Sequence, residues 1–523
     1  MSQPTRPAIV PETGSPRPVA VIDIGATSIR MAIAEISDGE VRTLDHLVQS
    51  VNLGRECFAN RRLSRKSIEK AAAVLTQYQR VLQQYGITSP QDVRVVATTA
   101  VREAANRLAF ADRVFVATGL NVESIDEAEV NRITYMGVTP HLMAHPELAD
   151  GKSVVVEVGG GSTEMLVMRS GNVLTSHSYR LGSLRMLMSM DELRTSAQRQ
   201  RSILESQIRR TLEKISDAVE SDAAINLIAL GGDIRFAATE LVDWDGKELV
   251  QLPTKKLAKF TEKVLQLDQD TIVKRFDTSF VEAENLGPAL LVYTLLAQHF
   301  ELPHLYVCDT NLREGLLHDM AGSNSWTAEF RNQILRSAIL LGRKYDFDET
   351  HSRNVAELAK KLFDQLENEH QLDRRHEVIL FAASLLHEIG SIVNVRSNHK
   401  HALYLIRNSE LFGLSRGELL QVGLVARYHR RANPQPSHEG YSTLPQEERV
   451  IVAKLAAILR LAIALDDTRT GRIREIQCSC DGRQLVINVP GVDDVSLEQI
   501  AMRQNAGLFR DVFGMQVLLR AGK

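Results

Sequence analysis

The sequence predicts an α/β protein up to about Met320, followed by an all-α domain and a small α+β unit at the end. Three observations carry that prediction. A strand-turn-strand segment occurs twice in register, apolar strands alternate with amphipathic helices around both copies, and strand-like segments disappear after about Trp326.

In chain order, Met1 to Pro18 is polar and studded with proline, without an apolar signal segment, and reads as a loose tail over 1–18. The first domain, 19–140, opens with VAVIDIG, the turn ATS, the strand IRMAIAEI and a further turn at Gly39. A helix follows over Lys66 to Tyr85, with Ile68, Ala72, Leu75, Val81, Leu82 and Tyr85 on one face. A strand over Val93 to Thr98 and a helix from Ala100 continue the alternation. The second domain, 141–322, repeats the opening hairpin at an offset of 134 positions, which sets Asp23 on Glu157, Gly25 on Gly159, Ser28 on Ser162, Arg30 on Glu164 and Met31 on Met165. It continues with an amphipathic helix over Gln198 to Val219, a strand over Ile225 to Leu230 ending in Gly231-Gly232, and a helix from Ile234. The span 323–470 shows only helical periodicity, through Ile334–Leu341, Val355–Leu366, Val378–Ile389, Tyr404–Arg407, Leu419–Tyr428 and Val450–Leu465. The last span, 471–523, reads as ββαβ: a strand from Ile473, a turn at Asp481-Gly482, a strand over Gln484–Val489, a helix over Leu497–Phe513 and a strand over Met515–Arg520.

A chain of 523 residues exceeds what one core organises, which fits this division. Its 62 basic and 65 acidic residues leave a net charge of -3, so it is not a protein that coats nucleic acid, and a polyanionic ligand would need a local basic site. No apolar run reaches the roughly 18 residues of a membrane helix. Cys57, Cys308, Cys478 and Cys480 are too scattered for a disulfide framework, and a reducing, cytoplasmic location is expected.

The chemistry points to phosphate. Glycine clusters directly after apolar strands let backbone N–H groups approach phosphate oxygens, and the chain has three: Asp23 to Ser28, Glu157 to Glu164 and Leu230 to Asp233. None is a dinucleotide fingerprint or a Walker loop. Asp23, Glu157 and Glu164 beside these loops offer hard oxygen donors of the kind that hold magnesium, largely through water.

The segments DIGATSIR from Asp23, ATTAVREAANR from Ala97, EVGGGSTE from Glu157, RLGSLR from Arg180, ALGGDIR from Ala229 and LREGLL from Leu312, in this order, resemble the exopolyphosphatase and guanosine pentaphosphate phosphohydrolase family. The resemblance covers about Val19 to Met320 and extends into the helical region through HSRNVAELA, ASLLHEIG, HALYLIRNS and VARYHR. It implies two actin-like (ribonuclease H-like) domains and hydrolysis of a terminal phosphoryl group in the cleft between them. The substrate would be inorganic polyphosphate, with guanosine pentaphosphate, converted to the tetraphosphate, as a second; the cofactor would be Mg2+ and the assembly a homodimer. Phosphates would sit on Gly25, Ala26, Thr27, Ser28, Gly159, Gly160, Gly161, Ser162 and Thr163, with Gly231 and Gly232 beside them. Arg30 or Arg102 would neutralise charge, Asp23, Glu157 and Glu164 would hold metal, and Glu164 and Glu129 would serve catalysis.

The sequence departs from the family at telling positions. Where the resemblance implies a helix-borne pair of glutamates, the second being the base, it aligns Glu129 and Val130, leaving Glu129, or Glu127 in a slipped register, as the substitute. Glu157 replaces an aspartate, and Ala26-Thr27 replaces Ser-Asn. A binding or regulatory protein for polyphosphate or an alarmone is therefore the second reading, and a kinase of the same superfamily the third. The helical region resembles the HD superfamily, but Glu388 follows His387 where aspartate is usual, and Ile463 falls at the last ligand position, so a structural domain is expected there. His399, His401, His429, Arg427, Arg430 and Arg431 form a basic set suited either to guiding polyphosphate or to a solvated helix face.

Overall fold

The computed structural model describes residues 16–191, 196–219, 224–246, 248–321, 328–430 and 432–522; the tail ahead of residue 16 and Arg431 of the basic set lie outside them. By packing, the chain divides into two compact units, Met1–Ser325 and Trp326–Lys523.

The first unit is built on two sheets of matching plan. One contains β1 (Arg17–Ile24), β2 (Ser28–Ser37), β3 (Glu40–Ser50), β4 (Val93–Ala97) and β5 (Val122–Ser124), in the order β3-β2-β1-β4-β5. The other contains β6 (Lys152–Val158), β7 (Thr163–Arg169), β8 (Asn172–Tyr179), β9 (Ile225–Leu230), β10 (Val250–Pro253) and β11 (His304–Val307), in the order β8-β7-β6-β9-β11-β10. In each, three antiparallel strands lead into two parallel ones, and the second sheet ends in β10, antiparallel to β11. β1 is buried from Val19 onward, because its run of apolar residues is covered on both faces, as parallel-type strands require.

The duplication read from the sequence holds at the level of single hydrogen bonds. Asp23 pairs across the hairpin with Arg30, and Glu157 with Glu164. The first turn closes with Gly25 N donating to Ser28 O at 2.9 Å, and the second with Gly159 N donating to Ser162 O at 2.9 Å. Even the irregularity that bends the outer strand falls at the same offset, between Ile33 and Ala34 and between Val167 and Met168. An extra residue in one strand tightens local twist, so each hairpin tip is bent in the same way.

Helices cover the sheets. Arg65–Gln84, capped by Ser64 accepting from Ser67 N, buries Ile68, Leu75, Tyr78 and Leu82 in the core of the first half. Phe280–His299, closed by a Ser279/Glu282 capping box, is almost wholly buried in the core of the second half, which is why it shows little amphipathic pattern.

Among the described residues, the second unit contains the helices Glu349–Gln365, Arg374–Leu386, Arg416–Arg427 and Gln446–Leu465, with shorter ones between and after them. A three-stranded sheet follows in the order β12 (Gln477–Cys480), β13 (Gln484–Val489), β14 (Gln516–Ala521). The helix expected over Leu497–Phe513 is two, Ser496–Asn505 and Gly507–Phe513, meeting at Ala506. A register correction concerns the helix Gln446–Leu465: the acid that faces His351 is Asp466, one turn beyond Ile463, with its carboxylate 2.7 Å from His351 Nδ1. Residues three apart lie on neighbouring parts of one helical face, so sequence alone did not separate the two positions. His429, read as part of a basic surface set, is buried.

Candidate active site: two glycine turns around one cavity

A cavity of about 500 Å³ opens between the two halves of the first unit. Both duplicated turns line it, through Gly25 to Ser28 and Gly159 to Ser162, together with Gly231, Gly232, Asp23, Arg30, Arg102, Glu157 and Glu164. Two predicted residues stand apart from it. Thr163 is fully buried, with its hydroxyl donating to Leu181 O, so it supports the turn and does not face a ligand. Glu129 is held by Arg132, Nε to Oε2 at 2.8 Å and Nη2 to Oε1 at 2.7 Å, in a cluster with Arg94 and Asp319. Burial alone would raise its pKa, yet these arginines hold it below the usual carboxylate value, and it stands as an ion-pair partner outside the cavity lining. Val130, its neighbour, does line the cavity. Glu127, the slipped-register alternative, pairs with Arg102 at 3.2 Å.

The loops are braced from behind. Gly54 N donates to Ala26 O at 2.8 Å and Val51 N to Thr27 O at 2.9 Å; in the second copy Ser183 N donates to Gly159 O at 2.9 Å and Arg185 N to Gly160 O at 3.1 Å. The carbonyl oxygens are thus taken up by following segments, while the amides of Ala26, Thr27, Gly160 and Gly161 have no partner among the described residues. That is the polarity of an anion nest. Arg185 adds a clamp, donating Nε to Gly161 O at 2.9 Å with its guanidinium 4.1 Å from the Phe58 ring centre. Gly182 permits the close approach, since a Cβ there would lie 2.3 Å from the Gly161 carbonyl carbon and 2.4 Å from Gly160 O. Gly182→Ala must therefore push the second loop out of place; a loss of about 1–3 kcal/mol in unfolding free energy is expected, accompanied by weaker phosphate binding, both measurable by denaturant titration and equilibrium binding of tripolyphosphate.

The third glycine loop is fixed differently. Gly231 has φ +111°, where an L side chain is strained, and the buried Tyr293 hydroxyl donates to Leu230 O while accepting from Val158 N at 2.8 Å. One oxygen ties the ends of β6 and β9 together.

The electrostatics favour an anion and its counter-ion. Arg30, Arg235 and Arg313 line the cavity, and Arg313 Nη1 lies 3.5 Å from Asp23 Oδ2. Burial lowers the Arg313 pKa, and although Asp23 opposes this, the neighbouring Arg30 and Arg235 add to the lowering. These guanidinium groups crowd one another and gain from any anion between them. Glu164 accepts from Ser162 Oγ at 2.8 Å and Ser178 Oγ at 2.9 Å through Oε1, while Oε2 is buried without a partner. Burial pushes its pKa up to about 7 against these hydrogen bonds. Burial likewise raises Glu157, and pushes Asp233 up to about 6. Asp233, Arg235 and Arg313 were not singled out from sequence, although each lies inside a quoted motif.

The three predicted metal acids share this cavity but do not close into one group of ligand atoms. Their fit to a cation rests on Asp23 Oδ1, buried without a hydrogen-bond partner. Magnesium commonly takes only one or two carboxylates and keeps several waters, so spaced oxygen donors suit it.

Residues 32–324 match the model of the Ppx/GppA phosphatase family, and residues 335–501 match that of Ppx/GppA phosphatase, domain III. A guanosine-5'-triphosphate,3'-diphosphate pyrophosphatase of Vibrio atlanticus (strain LGP32) is 24% identical over 491 residues, covering 91% of this chain and 93% of its own. Its counterpart in Vibrio parahaemolyticus serotype O3:K6 (strain RIMD 2210633) is 23% identical over 490 residues, again 91% of this chain and 93% of its own. Among solved structures, an exopolyphosphatase from Cytophaga hutchinsonii ATCC 33406 shares the fold, with a TM-score of 0.53 at 18% identity over 58% of this chain and 98% of that one. The paired sheets are thus the actin-like arrangement that the motifs implied, and this chain belongs to the Ppx/GppA phosphatase family.

Proposed function

We propose that this chain hydrolyses the terminal phosphoryl group of inorganic polyphosphate, and of guanosine pentaphosphate, in the cavity between its two actin-like halves. The observation that carries this reading is the meeting of two matched glycine turns on one cavity walled by Arg30, Arg235 and Arg313. Phosphoryl transfer needs positioning and charge neutralisation more than covalent help, and these groups supply both. Free amides of the Ala26-Thr27 and Gly160-Gly161 turns hold phosphate oxygens, and the arginines balance their charge. Glu164 Oε2 takes the proton of the attacking water as the new oxygen–phosphorus bond forms and the bridging bond to the departing phosphate breaks. Asp23 and Glu157 would hold Mg2+, which when bound would neutralise charge on neighbouring phosphate oxygens, while Glu164 Oε2 is left to the attacking water.

One observation favours a second reading, that of a polyphosphate or alarmone sensor with little turnover: apolar Val130 lines the cavity where the family resemblance implies a glutamate base. Phosphate release from long-chain polyphosphate, with and without Mg2+, measured beside equilibrium binding, decides between them. Release dependent on Mg2+ is expected; tight binding without release selects the sensor, and transfer to an acceptor dependent on ATP would select a superfamily kinase. We also propose a homodimer, which a single monomeric mass by light scattering at working concentration would refute. Among the described residues no helix is long and apolar enough to cross a membrane.

A further inference from the structure

The arginines that wall the cavity have a second side. A smaller pocket, of about 220 Å³ against about 500 Å³, adjoins the first, and Arg30, Arg235 and Arg313 line both. Other charged or titratable residues border only the smaller one: His46 from β3, Asp309 from the segment after β11, and Glu314 from the first turn of the helix Leu312–Met320. His46 is exposed, so it marks the outer rim. The three guanidinium groups therefore form a partition between two chambers and do not close off the end of one.

That partition carries one spare positive charge. Arg235 is tied to Asp309, with Nη1 donating to the backbone oxygen at 3.0 Å and lying 3.3 Å from Oδ1. Arg313 stands opposite Asp23 at 3.5 Å. Arg30 makes no hydrogen bond or ion pair among the described residues, although it borders both chambers. A half-buried cation without a counter-ion gains from an anion on either side of it. Burial raises the pKa of Glu314, with Asp309 adding to the rise and Arg235 and Arg313 opposing it, so this carboxyl is held back from cancelling the spare charge. Size narrows the choice of anion. The volume is below the roughly 300 Å³ at which pockets for drug-sized ligands begin, which suits one tetrahedral anion and its waters and is too small for a nucleotide.

We propose that the second chamber is an orthophosphate site, and that the phosphate cut from a chain end leaves through it, handed across by Arg30, while the shortened chain stays on the glycine turns. The site follows from the pocket; the route rests on the hydrolytic reading above. An enzyme that trims a polyanion from its end has substrate lying in the cavity from which product must depart, and the two anions repel each other. A separate outlet for the small product removes that conflict and allows the same chain to be cut again. Asp309 and Glu314, beyond the partition, keep the stay of the phosphate short, since like charges favour onward passage.

The test titrates radiolabelled orthophosphate into the full chain by equilibrium dialysis, alone and beside saturating tripolyphosphate in Glu164→Gln, where turnover is slowed. Two orthophosphates per chain are expected alone, and one when tripolyphosphate fills the main cavity. His46→Glu alters an exposed side chain, and thermal unfolding checks that the variant is folded; it should weaken the remaining site by at least about 10-fold, whereas His46→Gln should stay within a few-fold. Release into solution, followed with a fluorescent phosphate-binding protein, should keep pace with cleavage in rapid-quench samples of the wild type and lag behind it by about 10-fold in His46→Glu. Failure of orthophosphate to bind beside tripolyphosphate, or binding there that ignores His46→Glu, would overturn the site. Release in step with cleavage in both His46→Glu and the bulkier His46→Trp would overturn the route. Loss of affinity for long-chain polyphosphate over tripolyphosphate in His46→Glu would assign the chamber to the substrate chain and overturn both. A chain that binds both ligands as expected and cleaves nothing would refute the hydrolytic reading while upholding the orthophosphate site.

Discussion

Glu164→Gln is expected to lower kcat for phosphate release by about 10²- to 10⁴-fold, the range a positioned general base supplies, while leaving polyphosphate affinity within a few-fold. The glutamine keeps an oxygen for the Ser162 and Ser178 hydroxyls, so the hairpin survives, but the free Oε2 that would accept the proton is gone. The pH dependence provides a separate readout. With its pKa raised to about 7, Glu164 is a competent base only when ionised, so wild-type kcat/KM should climb through that pH and flatten above it. Stability should move the opposite way. The folded carboxyl holds its proton more tightly than its ordinary value of 4.5, so its contribution is fully present below that pH and is lost as pH rises through about 7. A separation of that size corresponds to about 3 kcal/mol, and Glu164→Gln should abolish it, so the variant outlasts the wild type in urea at pH 8 but not at pH 4. Glu129→Gln is the control: its loss falls on the ion pairs with Arg94 and Arg132, so stability drops while kcat holds. Equal loss of kcat in both variants would refute the assignment of the base to Glu164.

The second large effect runs the other way. Val130 lines the cavity from the helix Glu127–Met143, at the position where the family resemblance implies a glutamate. Val130→Glu places a carboxyl there, and an increase in kcat of about 10²-fold is expected, measured as phosphate release under saturating polyphosphate. In a Glu164→Gln background the same substitution should restore much of the lost rate, because the two carboxyls would do the same work from different walls. No gain in either background would mean that position 130 does not face the attacking water.

How far the sequence revealed this site depended on distance along the chain. The hairpin turns, their acids and the offset between copies were legible because strand, turn and strand are local, and the structure preserves them down to Gly25 N and Gly159 N. The arginine cluster was not, since Arg313 meets Asp23 across 290 positions, and no periodicity announces a contact formed only when two halves close together. Glu129 was hard to read for a different reason. Its carboxyl is committed to Arg94 and Arg132, and the Asp319 that shares those arginines lies 187 positions from Arg132. Asp466 shows the limit of helical register, where a shift of one turn preserves the apolar pattern yet changes which side chain meets His351. Thr163 marks the same limit in a strand, where sequence gives the alternation but not which hydroxyl a distant Leu181 carbonyl will claim.

The two hairpins, alike in pairing, turn hydrogen bond and bulge, differ in what they set side by side. The first joins an acid to a base, Asp23 opposite Arg30, and so is neutral within itself; the second joins two acids, Glu157 opposite Glu164. Duplication followed by divergence at one site has thus made a symmetric vessel with unlike walls, one already balanced and one whose burial holds its carboxyls toward the protonated form. A cation that enters gives the second wall a reason to release its protons, and a polyanion beside that cation finds its charge answered. Guest and counter-ion are each more welcome in the other's company, and the cause lies in the exchange of arginine for glutamate between two copies of one fold.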